Sequence, residues 1–235
     1  MKVTSLHGGW EGQTCYIIGT GPSLRVFDPH FFRNRRSIGL NQSYRHFKTK
    51  FHLTIHPEII PEGSIKSDSW ITKAKGPPDS WSRRLKENDP DVCIFTSNKD
   101  LHDYSPLTSE DNRLYCGRGI QATAMCLAAK MGCKTAILVG CDMNSFGGDH
   151  HAHEQHVRRH GLSPQDIYDE YYECSSIVRD KLTDHYGIRF YTLSPFLGLG
   201  RETEDYERLK KFHNLDGFPE PEDTSGYVRE RDYSE

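Results

Sequence analysis

Short apolar runs separated by polar linkers set the rhythm of this chain. Cys15 to Gly19 (CYIIG), Ser37 to Leu40 (SIGL) and Phe51 to Ile55 (FHLTI) each have the length and apolarity of a buried strand, and Val92 to Thr96 (VCIFT) repeats the pattern. Between the first two, Leu24, Val26, Phe27, Phe31 and Phe32 are spaced as the apolar stripe of a helix over Ser23 to Arg35, with Pro29 as an interruption. Gln121 to Gly132 (QATAMCLAAKMG) is rich in Ala, Met and Leu and ends in glycine, which predicts a helix with its stop signal; Thr135 to Val139 (TAILV) follows as a buried strand. Ile167, Tyr168, Tyr171, Tyr172, Ile177, Val178 and Leu182 predict a second helix over Pro164 to Tyr186, and Arg189 to Leu193 (RFYTL) a last strand. Strands that alternate with helices predict an α/β fold of Rossmann-like type, a mostly parallel sheet with helices on both faces, because parallel strands need crossover connections.

Length and composition refine this picture. The 235 residues favour a single domain over 1–200, with 62–91 as a polar insertion or irregular region and 201–235 as a polar, mobile tail almost without aliphatic residues. The longest apolar run, Ala136 to Cys141, is far short of the roughly 18 residues needed to cross a bilayer, and Met1 to Gly12 lacks the apolar stretch of a signal peptide. A cytoplasmic protein without a membrane span is the expectation. Seven cysteines, odd in number and without a Cys-x-x-Cys pair, read as reduced thiols. The net charge of -3 gives no global attraction for phosphate backbones. Locally, however, Arg33, Arg35, Arg36, Arg45, Lys48 and Lys50 fall within 18 residues, and Arg83, Arg84 and Lys86 form a second cluster. If both faced one groove, DNA or another polyanion would suit them as acceptor.

Three segments carry candidate chemistry. Gly19-Thr20-Gly21-Pro22-Ser23-Leu24 follows the first strand and precedes a helix, where glycines let the backbone approach a ligand and helix N–H groups face an anion. Ser23 is also a plausible N-cap, and the segment reads equally as a tight connection without a ligand. NAD is disfavoured, since Leu24 stands where the third fingerprint glycine belongs and Asn41 where an acid would hold the ribose. Gly117-Arg118-Gly119-Ile120-Gln121 precedes the Ala-rich helix and aims its N–H groups at the same crevice if the two strands are neighbours; Arg118 is a candidate for neutralising a diphosphate. Asp142, just after the TAILV strand, lies on the ligand side of an open α/β sheet, to bond a sugar hydroxyl, hold a cation or cap a turn.

Residues 149–160 then bring five histidines together: His150, His151, His153, His156 and His160. An imidazole titrating near pH 6.5 can take a proton from an acceptor hydroxyl or protonate a leaving phosphate. His153 with His156, or His156 with His160, also have the spacing to share zinc with Asp149 or Asp142, and a merely solvated loop is the third reading.

The succession IIGTGPSL, IGLNQSY, a glycine-containing loop, an Ala-rich helix and a strand ending LVGCDM resembles the family 42 bacterial sialyltransferases and the related MptE-like Rossmann proteins, over roughly 14–60 and 113–197. The MptE-like group includes pterin diphosphokinases and flagellin glycosyltransferases. The resemblance implies that Gly19, Thr20, Gly21, Pro22 and Ser23 line the nucleotide's phosphates, that Asn41 and Gln42 hydrogen-bond the nucleotide, that His56 contacts the donor, and that Gly119, Ile120 and Gln121 belong to a second donor-binding turn. Thr20 stands where the sialyltransferases usually carry Asn, and His56 where MptE-like proteins tend to place an acid. By the same resemblance His153 is the candidate base and Tyr168, Tyr171 and Tyr172 are candidate lid residues, although their spacing also suits core packing; His151 is a further catalytic candidate, and Asp142, by its place at the strand end, the candidate acid.

The expected function is transfer of a sugar from a nucleotide-sugar donor to a hydroxyl acceptor, a glycan or a modified DNA base, with metal dependence and oligomeric state open. The alternatives are diphosphate transfer from ATP with Mg²⁺ to a pterin-like alcohol, and a non-enzymatic nucleotide-binding protein.

Overall fold

The computed structural model describes residues 2–28, 30–55, 69–73, 92–98, 108–115, 119–142 and 164–193. Its centre is a sheet of eight strands: β1 (Thr14–Ile18), β2 (Ser37–Leu40), β3 (Phe51–Thr54), β4 (Ser69–Lys73), β5 (Val92–Asn98), β6 (Arg113–Tyr115), β7 (Thr135–Val139) and β8 (Arg189–Thr192). They lie in the order β6-β5-β4-β3-β2-β1-β7-β8, and every pair is parallel. The expected α/β architecture is therefore present. The order runs outward from β1 in one direction as far as β6 and restarts with β7 on its other side, so the topological switch point lies between β1 and β7.

Side-chain alternation divides the core. Cys15 and Ile17 of β1 and Ala136 and Leu138 of β7 face one layer, in which α1 (Ile120–Lys130) and α2 (Pro164–Tyr186) contribute Met125, Leu127, Val178 and Leu182. Tyr16, Ile18, Ile137 and Val139 face the other, against Leu24, Phe27, Phe32, Phe47 and Leu193. That second face differs from expectation. Ser23 to Arg35 does not form one α-helix; a 3-10 helix, Pro22–Val26, gives way to turns, with Gly21 and not Ser23 at the N-cap. Phe31 and Phe32 still pack, edge-on at 4.7 Å, and Phe32 is wholly buried. The apolar spacing marked the covering face correctly, while its backbone follows the proline and the short-range bonds.

The segment expected to be irregular, 62–91, contains β4, and β6 was not anticipated. α1 crosses from the edge strand β6 to β7, packing on β1, β2 and β3 and on α2. Its residues Gln121 to Lys130 are all buried. Lys130 is tolerated because its Nζ donates to the carbonyls of Thr108, at 2.8 Å, and Asp111. Cys15, Cys93, Cys126, Cys133, Cys141 and Cys174 are buried thiols; Cys116 lies outside the described residues. No described helix is long and apolar enough to cross a membrane.

Candidate functional site

Because all strands are parallel, the turns that leave β1, β2, β6 and β7 open on one edge of the sheet, the edge of their carboxyl ends. At the switch point Gly19–Ser23 leaves β1 beside Gly140–Asp142 leaving β7, with Ile18 registered against Val139. The two turns touch through backbone. Gly19 N–H donates to Val139 O at 2.8 Å and Gly21 N–H to Gly140 O at 2.7 Å. A Cβ on Gly19 would lie 2.2 Å from Gly140 O, and one on Gly21 2.5 Å from Asp142 Oδ2, so the approach requires both glycines.

Asp142 is 1% exposed. Its Oδ2 accepts the Ser23 N–H at 2.7 Å and its Oδ1 the Ser23 hydroxyl at 2.5 Å. With the Leu24 N–H donated to Gly21 O at 3.1 Å, the N–H groups of Gly19, Gly21, Ser23 and Leu24 are all engaged within the protein. The anion that faces this turn is the protein's own carboxylate. Thr20 and Gly21 are half-buried at the surface of the turn, with Pro22 buried behind them. Beneath it, burial pushes the Cys141 thiol far above its ordinary range, aided by the Asp142 charge. It is an inert thiol.

The turn after β2 begins with Asn41, at φ +45°, the one described non-glycine residue in the left-handed region. Asn41 and Gln42 are half-buried at the same edge. Asn41 Oδ1 accepts from the Thr54 hydroxyl at 3.2 Å, which turns the amide nitrogen the other way. Its carbonyl oxygen meets Nε2 of the fully buried His52 at 2.6 Å.

The third turn ends at Gly119, the N-cap of α1 with φ +79° and ψ +134°. The N-cap Gly119 makes no side-chain cap bond and the first turn holds no acid, so the helix itself supplies no anion to its positive end. Ile120 is half-buried; Gln121 is 8% exposed, and its Nε2 is buried with no partner among the described residues. The Tyr171 ring, 36% exposed on α2, covers Gly119 with its Cδ1 3.2 Å from where a Cβ would be. Tyr172 packs against the core, and nothing is described of the Tyr168 side chain.

The structure thus brings Thr20, Gly21, Asn41, Gln42, Gly119, Ile120 and Gln121 to one edge, with Asp142 and Ser23 bonded beneath. His56, Arg118, His151, His153 and the other histidines of 149–160 lie outside the described residues. No group of three or more His, Cys, Asp or Glu among the described residues has metal-binding geometry. The basic cluster is exposed but divided. Arg36 and Lys50 precede β2 and β3, at the edge opposite the crevice, whereas Arg45 closes the 3-10 helix after β2; Arg35 lies over the Phe31 ring at 4.2 Å. Arg83, Arg84 and Lys86 lie outside the described residues.

No protein-family model matches the chain, and no curated protein does. Among solved structures it is similar to the sialyltransferase CstII from Campylobacter jejuni in complex with cytidine-5'-monophosphate, at 14% identity and a TM-score of 0.49, over 79% of this chain and 81% of that one. It is also similar to CstII from Campylobacter jejuni in complex with a substrate analogue, CMP-3FNeuAc, at 13% identity and a TM-score of 0.46, over 78% and 82%. Likeness at this level assigns no activity.

Sequence reasoning missed His52, Ser43, Thr49 and Thr54, which surround the Asn41 turn from below. The available signal was the pair of polar residues in the buried strand FHLTI, since a histidine and a threonine buried there need partners.

Proposed function

We propose that the chain is a nucleotide-dependent transferase, a glycosyltransferase that moves a sugar from a nucleotide-activated donor to a hydroxyl acceptor. The observation that carries this is the uncapped N-terminus of α1, with the buried Gln121 amide beside it, on the same sheet edge as the switch-point turn. Donor phosphates fit the N–H groups of Gly119, Ile120 and Gln121, where the helix's own first turn carries no acid to compete, with Arg118 as a further cation. Thr20 and Gly21 line the adjoining surface with Pro22 buried behind them, and Asn41 and Gln42 offer amides to the nucleoside, with His56 after β3. Asp142 serves in this reading as the anchor of the first turn.

Both ends of segment 143–163 are fixed on the crevice edge, by Asp142 after β7 and Pro164 at the start of α2. His153, or His151 two residues before it, serves in this reading as the base. It takes the acceptor hydroxyl proton as the oxygen bonds to the anomeric carbon, and the carbon–phosphate-oxygen bond breaks with its electron pair leaving on the nucleotide. Helix-terminus donors stabilise the charge that develops there.

A panel of CMP, UMP, UDP, GDP and ATP in a thermal-shift assay tests donor binding. A ligand at about 100 times its Kd adds about 2.7 kcal/mol and raises Tm. No shift with any nucleotide refutes the reading. If only ATP with Mg²⁺ acts and chelation abolishes turnover, the MptE-like diphosphokinase reading replaces it. His153→Ala is expected to cut turnover at least about 100-fold while nucleotide binding persists; unchanged turnover removes it as the base.

A further inference from the structure

Gly39 in β2 lies against three polar side chains. A Cβ there would be 2.8 Å from Ser43 Oγ, 2.8 Å from Thr49 Oγ1 and 2.9 Å from His52 Nδ1. All three residues are at most 4% exposed, and the Ser43 and Thr49 hydroxyls have no hydrogen-bond partner among the described residues. Buried hydroxyls gathered on one point are costly unless they serve each other, a neighbour or a water.

The other side of the His52 ring decides their role. A carbonyl oxygen only accepts, so the 2.6 Å contact with Asn41 O places the ring proton on Nε2 and leaves a lone pair on Nδ1. Nδ1 is therefore an acceptor atom, gathered with the two hydroxyls around Gly39 but bonded directly to neither. Above it, Asn41 sits at φ +45°, a conformation that costs a residue with a Cβ about 1 kcal/mol or more unless its surroundings hold it.

We propose that His52 is a positioning residue for the nucleotide site: its Nε2–H holds Asn41 in the left-handed conformation, while Ser43 and Thr49 fix its tautomer by donating to Nδ1 through one buried water. The Thr54 hydroxyl claims Asn41 Oδ1, so the side chain offers the crevice its two amide N–H groups. The atom recognised there is consequently a hydrogen-bond acceptor, such as a base carbonyl or ring nitrogen, and a donor group at that position is rejected. This selectivity rests on the nucleotide-site reading above; the His52–Asn41 linkage does not.

The experiment has two arms. Long-range ¹H–¹⁵N NMR on the full chain without ligand is expected to show His52 as the Nε2–H tautomer at pH 7, and coupling constants to show Asn41 at positive φ. The Nδ1–H tautomer, or an imidazolium, overturns the proposal. His52→Gln keeps a donor for the Asn41 carbonyl and His52→Phe does not. In calorimetric titration with CMP, His52→Phe is expected to weaken binding about ten-fold, the scale of one lost hydrogen bond, with loss of the Asn41 coupling signature. His52→Gln is expected to stay within about three-fold of the parent and to keep that signature. A folded His52→Phe with unchanged Asn41 couplings and CMP affinity overturns the proposal, as does a folded His52→Gln that behaves like Phe. If the parent chain binds no CMP, UMP, UDP, GDP or ATP, the nucleotide-site reading fails, and the NMR arm still decides the role of His52.

Discussion

The pairing of Ser23 with Asp142 sets the shape of the switch point, and its energy can be taken apart. Ser23→Ala removes the 2.5 Å hydroxyl bond and leaves the 2.7 Å backbone bond intact. A charge-assisted bond is worth about 1.5–3 kcal/mol, so Ser23→Ala is expected to lose about 2 kcal/mol. Asp142→Ala removes both acceptors and strands the buried Ser23 donors, for an expected loss of about 3–5 kcal/mol. Part of the second loss contains the first. In the double variant the hydroxyl has no partner left to lose, and the cycle is expected to show a coupling energy of about 1.5 kcal/mol or more. Urea unfolding of the four proteins, at constant slope with denaturant, supplies the four free energies. Strict additivity within about 0.5 kcal/mol would falsify the claim that this carboxylate and this hydroxyl act as a unit. The same cycle bears on chemistry. Were Asp142 a catalytic acid, Asp142→Asn would abolish turnover and leave the Ser23→Ala protein fully active; as an anchor, the two variants are expected to lose nucleotide affinity together.

Gly19→Ala drives a methyl group against the Gly140 carbonyl, which is backbone and cannot swing away, so it is expected to cost about 3 kcal/mol, read from Tm; a neutral effect would show that the β1 and β7 turns can part. Burial pushes His52 down to about 4, opposed by its bond to the Asn41 backbone. From pH 6.5 downward the unfolded chain binds a proton that the folded chain refuses. The stability fully present above 6.5 is therefore lost by about 1.4 kcal/mol per unit, about 2 kcal/mol by pH 5. His52→Phe is expected to flatten that part of the pH–stability curve in urea titrations, and an unchanged slope would place the titrating group elsewhere. Lys130→Met leaves the Thr108 and Asp111 carbonyls without their donor, and hydrogen exchange is expected to quicken in 108–115 before it does in β1 or β7.

Strands were legible wherever both faces of the sheet are covered, because CYIIG, SIGL, FHLTI and TAILV admit no other buried element of that length. β6 was not, since Arg113–Tyr115 has three residues, too few to show a period. The 22–36 layer misled for a different reason. Its aromatics recur at helical spacing because they cover one face of the sheet, and covering needs no continuous helix. Of the site, the glycine turn and Asp142 were legible as neighbours on the ligand side of the sheet, but their mutual bond was not: nothing local to Ser23 announces an acceptor 119 residues away. Gly39 and His52 were hidden likewise, since their relation exists only once β2 and β3 are side by side.

The sheet order also governs the birth of the molecule. β1 is made before either of its neighbours, and one of its two flanks is completed by a strand that begins at Thr135, about 120 residues later. At a synthesis rate of about 5–20 residues per second, that flank stays open on the ribosome for about 6–24 s, a row of bare amides and carbonyls beside CYII. Chaperone dependence during translation, and clumping of chains truncated before Thr135, are what such an interval would bring.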